Sequence, residues 1–296
     1  FRMANNRRFN GVPVNTLYKK MYREAIPWSD ILRQDSYTYL SLLSKARNCP
    51  ITIAMAGLLP LCAALVGPTT KVLVKPGYDN ALNMYTLGVV AANGGKSVIN
   101  ALIADICSDV IDRSGVKILM EETTGYHRHI ERNGGYAFVT SGEAHLIPGA
   151  ISHKKEENVW EMAPLSSLWR GRCPSLTLED ATIESADTSF SMGILTRPST
   201  CVAEFVQMDF IDEALVDRLM FMVDKPKLFP FEENERAKDE ISSRYATTLN
   251  DVFYEVFQHH KTNAVLYTFS EEARTMLDAI HDEVVDAMNA MYPTDS

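Results

Sequence analysis

The 296-residue sequence has no Cys-x-x-Cys pair, no internal repeat and no low-complexity tract, and its basic residues are outnumbered by acidic ones. Each shortage removes a class of protein. Cys49, Cys62, Cys107, Cys173 and Cys201 are odd in number and scattered, several in apolar surroundings. They read as reduced, buried thiols rather than as a disulfide frame or zinc site. A formal charge of −9 argues against a uniformly basic surface for coating nucleic acid, although Arg2, Arg7 and Arg8 form a local basic patch. No secretory leader is visible, and a start at Phe1 is that expected of a processed or excised fragment. The apolar run Ile51–Val66 is short for a membrane span and carries Pro60, so a buried helix is expected there. The expected setting is cytoplasmic or nuclear, away from membranes.

Two catalytic classes also lack their parts. There is no G-x-S-x-G elbow for a serine nucleophile. His127, His129 and His145 have no cysteine or carboxylate spacing to complete a four-ligand zinc set, and His259-His260 reads as the end of an exposed helix.

What is present is MYTLGVVAANGGKSVINA over residues 84–101. An apolar strand delivers the chain to glycines, and a helix from about Ser97 follows directly. This is the chemistry of a phosphate-binding loop. Glycine amides approach oxygens closely, the helix presents its positive end, Lys96 supplies a point charge, and Ser97 supplies a hydroxyl for magnesium. Asn93, Gly94, Gly95, Lys96 and Ser97 are thus the candidate nucleotide-binding residues. The full pattern G-x-x-x-x-G-K-[ST] wants its first glycine where Val90 stands.

Around this loop the sequence alternates. Residues 1–35 read as a polar arm, and 36–66 as two helices broken at Asn48-Cys49-Pro50. Strands are expected at Lys71–Val74, Met84–Ala91, Val116–Met120, Tyr136–Thr140, Phe190–Leu195 and Arg218–Val223. Helices are expected near 97–113, 124–131 and 158–169, with shorter strands at 175–178 and 182–184. Beyond Pro230 come a charged linker (232–244), a helix to His259, a strand at 264–268, and a final helix. In that helix Ala273, Met276, Leu277, Ile280 and Val284 form one apolar stripe read as packing. Strands interleaved with helices indicate an α/β protein with a largely parallel sheet.

A nucleotide-hydrolysing site needs an acid at the end of a neighbouring strand. Tyr136–Glu143 reads as the one stretch after the loop with that form, making Glu143 the candidate water-polarising base. Gly142 stands where a partner acid is usual, and Ser141 or Asp105 are alternatives for assisting the metal. Arg218 interrupts an apolar run and is either an ion pair with Asp217 or a charge aimed at the phosphates.

The order of these segments resembles the P-loop ATPase family catalogued as domain of unknown function 3987, whose members accompany primase or helicase modules of phages, plasmids and other mobile elements. The resemblance runs from about 45 to 290. It rests on Ala54–Val74 with Pro76-Gly77, Leu87–Ser97, Glu121–Thr124, Asn133–Gly135 leading to Ser141–Ala144, and Leu168–Gly171. Phe190–Leu195 before Arg197-Pro198, Arg218–Phe221 and Tyr267–Ala273 complete it. It implies a P-loop NTPase of RecA-like three-layer architecture with helical additions: an arm at 1–48, a core at 49–230, and an extension at 231–296 packed on the core. It also implies ATP and Mg2+ at Gly94–Ser97, Glu143 as second acidic motif, and Arg218 as arginine finger or sensor, within the chain or across a homo-oligomer boundary. Thr196 and Arg197 match a strand-end sensor, with arginine in place of the expected glutamine. The implied partners are single-stranded DNA and a primase or helicase module. Rival readings are a nucleotide-binding scaffold that no longer hydrolyses, motivated by Val90 and Gly142, and a DNA-binding adaptor using the basic arm.

Overall fold

In a computed structural model the residues described are 8–9, 12–13, 26–120, 126–141, 165–173, 175–177, 182–183, 186–201 and 218–291. The helices are α1 (Trp28–Ile31), α2 (Gln34–Arg47), α3 (Ile51–Leu65), α4 (Lys96–Ser114), α5 (Tyr126–Arg132), α6 (Leu165–Trp169), α7 (Phe231–Arg244), α8 (Leu249–Thr262) and α9 (Glu271–Met291). The principal strands are β1 (Lys71–Lys75), β2 (Tyr78–Ala81), β3 (Tyr85–Val89), β4 (Leu119–Met120), β5 (Tyr136–Ser141), β6 (Ser189–Thr196), β7 (Leu219–Val223) and β8 (Leu266–Thr268).

Five of these strands form one parallel sheet in the order β7-β3-β6-β5-β4. β3 and β6 are buried along their whole length, as strands covered on both faces must be. Along β5 and β6 the side chains alternate between two cores. Tyr136, Phe138 and Leu195 face a layer built from α3, α4 and α8, whereas Ala137, Val139, Met192 and Ile194 face Tyr126, Ile130, Leu165 and Leu168 of α5 and α6. The result is a helix–sheet–helix sandwich, the expected class.

α3 lies directly on the sheet because small residues let it approach. A Cβ on Gly88 would fall 2.9 Å from the Ala56 Cβ, and one on Gly193 3.0 Å from Pro60. The apolar run Ile51–Leu65 is therefore a core helix, buried along most of its length. Among the described residues no single helix is long and apolar enough to cross a membrane. The break before α3 falls where expected. Asn48 adopts a left-handed conformation (φ 49°) that ends α2, and Pro50 precedes the first turn of α3.

Beyond the sheet, the sequence misleads in three places. The charged stretch 232–244 is helix α7 rather than a linker. Its Ala237 is buried against Leu42 and Ala46 of α2, and Asn234 donates to the Lys45 carbonyl. Ile241 and Tyr245 pack beside Ala237, so a narrow apolar stripe holds a helix whose other faces are charged, and composition hides it. His260 is buried, with Nδ1 2.7 Å from the Val256 carbonyl and Nε2 2.9 Å from the Tyr267 hydroxyl, so it links α8 to β8. Finally, α7 packs on α2, α8 packs on α4 and α3, and β8 pairs with β1, but Met276, Ile280 and Val284 of the apolar stripe of α9 are exposed.

All five cysteines are free, with Cys49, Cys107 and Cys173 buried. Burial pushes the Cys107 thiol up to about 12.

Candidate functional site

The loop between β3 and α4 lies at a topological switch point. β3 sends the chain through α4 to β4 at one edge of the sheet, while its neighbour β6 sends it the opposite way, to β7. Ligands of open α/β sheets bind in the crevice that such a divergence leaves outside the carboxyl ends of the strands. Two backbone hydrogen bonds fix the loop's base there. Val90 N donates to the Thr196 carbonyl (3.1 Å) at the end of β6, and Asp224 N donates to the Val89 carbonyl (3.1 Å) at the end of β7.

The loop then coils tightly. Asn93 and Gly95 both adopt left-handed conformations (φ 64° and 80°), a backbone pattern that favours successive amides facing an anion. Gly94 and Gly95 are required sterically. A Cβ on Gly94 would strike the Val90 side chain, and one on Gly95 would strike Cys49, whose Cα would be 2.9 Å away. Val90, in the place of the expected glycine, is thus a fully buried wall under the loop. Cys49 forms the second wall. Its thiol is pushed up to about 12 by burial and by the nearby Asp224 carboxylate, with Lys96 acting in the opposite direction.

Lys96 opens α4 and is 9% exposed. Its Nζ donates to the carbonyls of Val90 (3.2 Å) and Ala91 (3.1 Å), bending the side chain back over the loop. Burial, with the Arg197 guanidinium second, holds its pKa below the usual lysine value. No side chain caps the amino end of α4 and no acidic residue stands in its first turn. A lysine at a helix amino terminus faces the positive end of the dipole. Two cations and an uncapped helix end therefore converge, and among the described residues no carboxylate is ion-paired with Lys96. A bound anion would relieve the repulsion between these positive groups. These residues fit a nucleotide's phosphates, and the exposed Ser97 hydroxyl one residue into the helix is available to a magnesium ion.

The other candidates are placed unevenly. Glu143 lies outside the described residues, as do Gly142 and Asp217. β5, which leads toward Glu143, ends on the same side of the sheet as the loop with one strand between them, roughly 10 Å away at ordinary strand spacing. The Thr140 hydroxyl, 3.1 Å from Asn100 Oδ1 and 2.9 Å from the Gly193 carbonyl, ties that strand end to α4. Asp105 is exposed, more than two turns along α4 from the loop. Among the described residues no group of histidines, cysteines or acids is arranged to hold a metal by itself.

Arg218 is not brought to the loop of its own chain. It directly precedes β7, where Leu219 pairs with Tyr85, whereas the loop follows Val89 at the strand's other end, roughly 13 Å away at strand rise. Its guanidinium lies over the Trp169 ring, 5.2 Å from the centroid. The cation that does reach Lys96 is Arg197, at the end of β6.

Asp224 was also legible but missed. It ends the apolar strand Leu219–Val223 on a carboxylate as directly as any residue after the loop, so Tyr136–Glu143 is not alone in that form. Its signal was the one sought for Glu143. The pairing of Cys49 with Gly95, by contrast, spans 46 positions and leaves no local mark.

Compared with models of known protein families the sequence matches none, and it matches no curated protein.

Proposed function

We propose that this chain is a P-loop protein that binds ATP with Mg2+ in the loop Asn93–Ser97. The observation that carries this reading is the convergence of Lys96, Arg197 and the uncapped amino end of α4 at a switch-point crevice, with no carboxylate among the described residues paired to the lysine. Lys96, released from the carbonyls of Val90 and Ala91, would meet the outer phosphates, and the loop amides the inner ones. Ser97 would hold the magnesium, which when bound neutralises charge on the phosphates. The five-strand parallel sheet flanked by helices is compatible with a RecA-like fold. In that reading Glu143, beyond the end of β5, orients water, Arg197 senses the γ-phosphate, and Arg218 acts across a subunit boundary. The resemblance of the ordered motifs to helicase- and primase-associated proteins of mobile elements makes single-stranded DNA and such a module the partners to test.

A second reading is favoured by Val90. Its side chain fills the space against Gly94, and Gly142 leaves one acid missing, as expected for a scaffold that binds nucleotide without hydrolysing it. ATP turnover by the purified chain, with and without single-stranded DNA, separates the two. Turnover abolished by Lys96→Ala supports the ATPase; nucleotide binding without turnover supports the scaffold; turnover unchanged by Lys96→Ala overturns the site.

A further inference from the structure

α9 is amphipathic, yet no other described element packs substantially against it. Ala273, Leu277, Ile280 and Val284 recur at steps of four, three and four, and in sequence the alternation continues to Ala287 and Met291. That is the seam spacing of a helix that pairs with another helix. The middle of the seam is open to solvent: Ile280 is 55% exposed and Val284 52%, with Met276 beside them 63% exposed, while Ala273 and Leu277 are half-buried. Leu266, Tyr267 and Phe269, on and after the edge strand β8 that leads into the helix, are exposed as well. Exposed apolar surface of this extent marks an interaction face.

The charges around the seam narrow the occupant. At 100° per residue Glu272 and Glu283 border the stripe on one side, with Asp282 and Asp286 behind them, while Arg274 and His281 border the other. Across Glu271–Asp286 six acidic residues oppose one arginine. An anionic lipid surface or a nucleic acid would be repelled. A second copy of α9 would double the acidic charge along one seam. We propose that this face docks an amphipathic helix of another protein whose apolar seam is flanked by lysine or arginine, with the basic flank laid along Glu272 and Glu283.

The test uses the whole chain and two synthetic 21-residue helical peptides, each with leucine at the seam positions, flanked in one by lysine and in the other by glutamate. Fluorescence anisotropy should show the lysine peptide binding at least tenfold more tightly than the glutamate peptide, and weakening as salt is raised. Ile280→Asp with Val284→Asp should abolish binding. These side chains are more than half exposed, so the melting temperature should not change. Glu272→Lys with Glu283→Lys should reverse the preference between the peptides. Equal affinity for both peptides, binding that survives the aspartate substitutions, or a self-dimer that those substitutions dissolve would overturn the proposal.

Discussion

Lys96 donates to the carbonyl of Val90 at 3.2 Å, and the side chain of the same valine is the surface against which Gly94 is packed. One residue thus parks the cation and sets how far the loop can tighten. Replacing Val90 by glycine should remove the wall, loosen the loop, and destabilise the fold by about 2 kcal/mol or more through lost burial. If the valine narrows the site, ATP should bind more tightly to Val90→Gly despite that loss, as isothermal calorimetry would record.

The two glycines that bracket α4 make a controlled pair. Gly95 and Gly115 have nearly the same left-handed φ (80° and 74°), but a Cβ on Gly115 meets nothing within 4 Å whereas one on Gly95 meets Cys49. Gly115→Ala should cost only the conformational penalty, about 1–2 kcal/mol. Gly95→Ala should cost more and should also abolish nucleotide binding. Urea denaturation measures the first difference and ATP-dependent melting the second.

Arg197 and Arg218 should separate cleanly. Arg197→Ala should weaken ATP binding about tenfold, or roughly 1.4 kcal/mol. Arg218→Ala should leave the affinity of the isolated chain unchanged, and its loss of the contact with the Trp169 ring should appear as about 0.5–1 kcal/mol or more of lost stability. An ATPase rate that rises with protein concentration and is lost in Arg218→Ala would place the arginine in a neighbour's site.

At the far edge, Phe257 is fully buried and meets the Tyr136 ring edge-on at 5.2 Å, joining α8 to the sheet. Phe257→Ala should destabilise the chain by about 3–5 kcal/mol. Because the extension shares the core, denaturation should remain a single transition; a separate early unfolding of α8 would contradict that.

Acid should act on the start of α8. Asp251 is held below the usual carboxylate value, first by the Thr248 hydroxyl, then by the Thr248 amide and Arg113. A depressed carboxylate stabilises the fold in its ionised form, so its contribution is present above about pH 4 and is lost as pH falls through the lower folded value. In Asp251→Asn the fall in melting temperature across that acid window should be shallower than in the unaltered chain.

The sheet was readable because short apolar runs such as Tyr136–Thr140, which follows Gly134-Gly135, and Phe190–Leu195, which ends before Arg197-Pro198, alternate with helical stretches. The loop was readable because Gly-Gly-Lys-Ser sits between the last buried residue of a strand and the first turn of a helix. Strand order was not readable: which strand neighbours β3 depends on long crossovers. The distance of Arg218 from the loop follows from that order and from its place at the start of β7. Arg197 was noticed in sequence only as an odd residue at a strand end, since its approach to Lys96 arises from the pairing of Thr196 with Val89. α9 misled because amphipathicity reveals an apolar face but not what covers it.

ATP binding by the whole chain, read as a melting shift and compared with Lys96→Ala, tests the central claim most directly. At a hundred times its dissociation constant ATP should stabilise the unaltered chain by about 2.7 kcal/mol, and Lys96→Ala should show no shift at the same concentration. An equal shift in the two proteins, or none in either, would contradict a phosphate site at Asn93–Ser97.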